Sequence, residues 1–128
     1  GIRVEVTQVP SRGRLAESAQ TSEYSAVLST ASGVDPAFLS NYFTSGARLN
    51  WSRTADPPLD GLLRAARSEA DVAARRALYM QVQGIIMDNA LFLPVADYAS
   101  ITAVAPQLVG LVLDPMGLPY LHEVSFGQ

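Results

Sequence analysis

Apolar positions recur along this chain at two different periods. At the start Ile2, Val4 and Val6 alternate with Arg3, Glu5 and Thr7, which predicts a half-buried strand. Pro10 and Ser11 close it, and residues 11–20 can form a short helix that Gly13 weakens. Residues 24–30, YSAVLST, are small and apolar enough for a second strand buried on both faces. Strand, short helix, strand predicts a βαβ unit with a parallel pair.

A helical period then takes over. Asp35 and Pro36 offer a cap and first turn for a helix through Ala37, Phe38, Leu39, Tyr42 and Phe43. Residues 44–55 hold no period and read as a loop. Asp56-Pro57-Pro58 opens the next helix, in which Leu59, Leu62, Leu63 and Ala66 share a face. Ser68 and Asp71 make a capping-box-like pair for a helix over 69–89, roughly 30 Å long. Leu78, Val82, Ile85, Ile86 and Asn89 line one side of it, with Arg75, Arg76, Gln83 and Asp88 elsewhere. Tyr42 and Tyr79 lie on helical faces and are expected in the core. Residues 91–95 read as a strand in which Pro94 marks an edge or an end, and 101–104 and 108–113 as two more extended segments. The sum predicts an α/β fold, a mixed sheet with flanking helices.

Composition narrows what such a fold can do. The chain has 128 residues, enough for one domain with a real core, and 48% hydrophobic against 16% charged residues argues against disorder. A net charge of −3 gives no electrostatic reason to expect nucleic acid. All nine basic residues are arginine. Without lysine there is no P-loop and no Schiff base, and without cysteine no disulfide or thiolate chemistry. A single histidine, His122, cannot build a structural zinc site, and nothing calls for a metal or cofactor. His122 with a serine and a carboxylate could make a small hydrolase, but in YLHEV it reads better as a partly exposed strand residue, so the chain is not expected to be an enzyme. Asn50-Trp51-Ser52 matches a glycosylation acceptor too short to carry weight. The abrupt opening of the first strand suggests a piece of a longer protein.

Six short motifs stand in a telling order: Asn50-Trp51-Ser52, the DPPLDGLL run over 56–63, RRALYMQVQ over 75–83, LPVADY over 93–98, GLVLDPMG over 110–117, and upstream DPAFLSNYF. In that order they resemble the C-terminal end of the solute-binding proteins of dipeptide, oligopeptide and nickel ABC importers (family 5). The resemblance implies a partial type II periplasmic-binding-protein-like lobe. Residues 1–113 would belong to the ligand-binding lobe and 114–128 to a tail crossing back to the opposing lobe. It also implies a small peptide-like solute, a permease partner, and an extracytoplasmic location, periplasmic or lipid-anchored. A regulator using the same fold as a ligand sensor is the alternative. Lacking its partner lobe, such a piece is expected to expose apolar surface over 108–126 and to self-associate.

Ligands of α/β folds collect beyond the carboxyl ends of strands. That points to Thr30, Ser32, Gly33 and Asp35 in the loop after YSAVLST. In peptide-binding relatives this loop usually carries a tryptophan and an acid that meets the peptide's amino terminus. Here Ala31-Ser32-Gly33-Val34 has neither, and Asp35 reads first as a helix cap. Trp51 either stacks on ligand or anchors its loop. Asp97 and Tyr98, at the end of the LPVAD segment, complete the candidate set, by analogy with the cleft-facing position of that segment in the family.

Overall fold

A computed structural model describes residues 1–97 and 99–127. Its core is helical. α1 spans Arg12–Gln20, a 3-10 turn over Pro36–Leu39 runs directly into the one-turn α2 (Ser40–Phe43), and the long pair α3 (Pro57–Ser68) and α4 (Val72–Asp88) follows. Aspartates start three of these elements: Asp35 accepts from Ala37 N–H, Asp56 from Leu59 N–H and Asp71 from Ala74 N–H. Each satisfies a backbone donor that has no partner within its helix.

The capping box expected at Ser68 is not formed. Ser68 is the last residue of α3 and its hydroxyl bonds back to the Arg64 and Ala65 carbonyls. α4 therefore starts three residues late, at Val72, with Asp71 alone as cap. The three-residue link folds α4 onto α3, and Leu59, Leu63, Val82 and Ile86 join Phe43 of α2 in one buried cluster. Ala66 and Tyr79 are buried as well, as expected, while Asn89 is exposed and caps α4 by donating to the Ile85 carbonyl. Tyr42 is half-buried against the cluster.

α4 ends in a closed cap. Leu91 N–H reaches back to the Ile86 carbonyl and Ala90 N–H to that of Met87, with Ala90 at φ +50°. This is the paired 6→1 and 5→2 pattern that usually places glycine at the left-handed position. Leu91 beyond it packs on the core, which holds the arrangement in place despite the alanine.

The strands differ most from expectation. Residues 2–6, 24–30, 91–95 and 101–104 form no ladder among the described residues, and neither the parallel pair nor the mixed sheet is present. A helix satisfies its own backbone, whereas an extended segment needs a neighbouring strand to bond with. Ile2, Val4, Val6, Leu93, Val95 and Ile101 accordingly stand exposed. Only 108–126 pairs, as an irregular antiparallel hairpin. β1 (Leu108–Val109) meets β4 (Ser125–Phe126), and β2 (Val112–Leu113) meets β3 (Pro119–Tyr120).

Its turn is Asp114-Pro115-Met116-Gly117. Asp114 Oδ1 accepts from both Met116 and Leu118 N–H at 2.8 Å, and Gly117 takes φ +78° where the return strand begins. Gly110, also at φ +78°, lies where a Cβ would collide with the Glu123 carbonyl oxygen, so only glycine fits between β1 and β2. The architecture is thus a helical core plus a mostly exposed hairpin, a mixed helix-and-strand arrangement.

Replacing Ala90 with glycine should stabilise the protein by about 1 kcal/mol, because it removes the left-handed strain of a Cβ. The same change at Ala65, inside α3, should destabilise by a similar amount. Urea denaturation of the two variants checks the opposite signs.

Candidate functional site

The loop between α2 and α3 is organised by one buried amide. Asn50 donates through Nδ2 to the Thr44 carbonyl (3.1 Å) and the Thr54 carbonyl (2.7 Å). Its Oδ1 accepts from Ser52 Oγ (3.2 Å) and Thr54 N–H (3.0 Å). All four bonding positions of the side chain are filled within the loop, which suits a residue that is only 9% exposed. The Asn-Trp-Ser triplet is therefore a folded turn whose asparagine is occupied, and it offers no accessible glycosylation acceptor. The loop is also tied to its surroundings. Ser45 N–H bonds Asp60 of α3 at 2.8 Å, and Arg53 Nη2 bonds the Gln20 carbonyl at the end of α1 at 2.8 Å. Ser45, through its hydroxyl and its N–H, holds the Asp60 carboxyl below its ordinary range.

Between this loop and α1 lies an open hollow of about 240 Å³, lined by Gln20, Arg48, Asn50, Trp51 and Arg53 with Ala19 and Ala47. Trp51 is half-buried, and its indole N–H is shut off from solvent with no acceptor among the described residues. Arg53 holds φ +54°, an unusual conformation for arginine that places it at the turn facing Gln20.

Asp35 occupies a different place. Its Oδ1 accepts both Ala37 N–H (2.7 Å) and Arg75 Nη2 (2.6 Å). Hydrogen bonding from Arg75, then from Ala37, keeps its carboxyl below the usual carboxylate range. Arg75 also donates from Nε to the Ala66 carbonyl at 3.2 Å and lies 5.4 Å from the Tyr79 ring centroid. One side chain of α4 thus touches the C-terminal end of α3, the start of the 3-10 turn and a core aromatic. The sequence reading left Arg75 off the apolar stripe of its helix, and its partner lies forty residues away, so no local pattern could reveal the pair.

Thr30 and Ser32 are exposed, and Gly33 packs on the Phe38 ring. Asp97 is exposed, and Tyr98 lies outside the described residues. No hydrogen bond or ion pair among the described residues links Asp97 or the 30–35 loop to the Trp51 hollow. Among the described residues the predicted site residues therefore fall into separate places, and the Trp51 loop lines a recess. Asn50 was set aside in sequence as a chance match, yet its place in the family-like Asn-aromatic-Ser motif was the usable signal. His122 is exposed, with Glu123 at 3.8 Å and the Tyr120 ring edge-on, and no serine hydroxyl among the described residues bonds to it.

No family model matches the chain. Among characterised proteins it is similar to the "Probable di/tripeptide-binding protein 5" of Pseudomonas aeruginosa, 30% identical over 77 residues. It is likewise similar to the "Probable ABC transporter periplasmic-binding protein SapA" of Escherichia coli (34% over 71) and to the dipeptide-binding protein DppE of Bacillus subtilis (29% over 83). These matches cover 60%, 56% and 65% of this chain and 15%, 13% and 15% of the respective relatives. All three relatives are named as binding proteins. The chain thus resembles, over somewhat more than half of its length, peptide-type solute-binding proteins of ABC importers, and spans only about a seventh of the length of these relatives.

The Asp35–Arg75 pair generates a pH dependence. A carboxyl held below its ordinary range contributes stability above the unfolded value, about 3.9 for aspartate, and loses it as pH falls through the folded value. Urea midpoints should therefore be flat near neutrality and drop below about pH 4. Asp35→Asn, which keeps a cap-forming side chain, should lower the neutral-pH midpoint and leave the most acidic one unchanged.

Proposed function

We propose that this chain acts in the substrate-binding component of an ABC importer, holding a small peptide-like solute for delivery to a membrane permease without altering it covalently. The observation that carries the reading is the sequence shared with three binding proteins, two of them named for peptides. The Trp51 loop supports it, since an asparagine-fixed recess beside an aromatic face suits a receptor that pays little ordering entropy on binding. On this reading the protein works outside the cytoplasm. No helix among the described residues is long and apolar enough to cross a membrane. The lobe would be of the periplasmic-binding type II kind over 1–113, with 114–128, from the hairpin turn onward, as the tail toward an opposing lobe.

Titration calorimetry of the full chain with a panel of di- and tripeptides should give saturable heat for at least one peptide. Absence of heat across the panel at millimolar concentration counts against a peptide ligand. The hairpin exposes Val112, Leu118, Leu121 and Phe126, with Phe126 at 78% exposure. We expect this apolar surface to drive association through it. Light scattering should show dimers or larger species as concentration rises, and Phe126→Ser should shift the population toward monomer. A monomer at every concentration would refute the association.

A further inference from the structure

The Trp51 hollow has a charge character at odds with the chain as a whole. The protein carries twelve acidic against nine basic residues, yet two arginines and no acid line this recess. Arg48 forms no hydrogen bond or ion pair among the described residues, and Arg53 spends one N–H on the Gln20 carbonyl. Gln20 and Asn50 add no charge, and Asn50 has no bonding capacity left for a ligand. At about 240 Å³ the hollow falls below the ~300–1,000 Å³ that encloses a whole small ligand, so it suits one end of a solute.

Resting on the reading of the chain as a solute receptor, we infer that this hollow takes a carboxylate group, held by the guanidinium of Arg48 with support from Arg53. The planar guanidinium fork matches a carboxylate in two parallel hydrogen bonds, and no acid competes from the walls. Trp51 gives the adjoining part of the solute an apolar face to cover. Its indole N–H is shielded from solvent and has no acceptor among the described residues, so its resonance is sensitive to whatever is seated against the ring. The Asn50 bonds and the Ser45–Asp60 and Arg53–Gln20 ties fix the loop before any ligand arrives.

Trp51 is the only tryptophan, so its indole N–H gives one resonance in an NMR spectrum of the full chain. Three probes separate the groups of a dipeptide: glycylglycine, N-acetylglycylglycine (carboxylate without ammonium) and glycylglycine amide (ammonium without carboxylate). The indole signal should move with the first two and stay still with the third. Arg48→Gln should leave the ligand-free spectrum unchanged and weaken the acetylated probe about tenfold. An indole signal that ignores the carboxylate probes overturns the inference. So does one that follows the amide equally, or a titration that Arg48→Gln does not alter. The outcomes also separate this inference from the receptor reading. A carboxylate response at Trp51 without peptide heat keeps the anion site and removes the peptide receptor. Peptide heat with a silent indole does the reverse.

Discussion

The apolar seam between α3 and α4 is the constraint on which the rest of this chain depends. Leu59, Leu63 and Ala66 on one helix and Tyr79, Val82 and Ile86 on the other are buried almost completely. At roughly 1.5–3 kcal/mol for each large side chain, this seam outweighs any single polar contact in the molecule. Everything that positions a functional residue is fastened to it. Phe43 brings α2 onto the seam, Asp60 on α3 holds Ser45 at the near end of the Trp51 loop, and Arg75 on α4 reaches Asp35. Loosening the seam would release all three attachments together, although they are far apart in sequence.

The polar attachments contribute differently. The Asp35–Arg75 pair is half-exposed, and such pairs add little to net stability. Its value is geometric, because a guanidinium that also meets the Ala66 carbonyl and the Tyr79 ring leaves the 3-10 turn only one seat on the helical pair. The Asn50 network is different in kind. A buried amide with all four positions satisfied tolerates no partial loss, since any abandoned partner is left shielded from water.

What could be read in the sequence follows the range of the interaction. α3 and α4 were legible because their caps and apolar stripes lie within one or two turns of each other, and an error of three residues at the start of α4 came from giving Ser68 a role that Asp71 fills alone. The hairpin turn was legible in outline for the same reason. The segments at 2–6, 24–30, 91–95 and 101–104 carry strand-like patterns, but a pattern specifies which face would be buried and cannot supply the partner that buries it. Of the candidate site residues, Trp51 lines a recess, Asp35 proved to be both the expected cap and one half of an ion pair, and Thr30, Ser32 and Asp97 stand exposed. Arg75 and Asn50 stood in the family-like motifs, but their structural roles could not be read there because these rest on what surrounds them in space.

The division of labour in the Trp51 loop has a consequence for how the loop can change. Asn50 shapes the loop from inside and spends its whole bonding capacity doing so, while Arg48 and Trp51 meet the recess without carrying the turn. The residue that shapes the loop and those that face the recess are therefore different side chains. On the proposed reading, the residues that meet the recess can be exchanged one at a time, changing the solute that fits while the loop keeps its form.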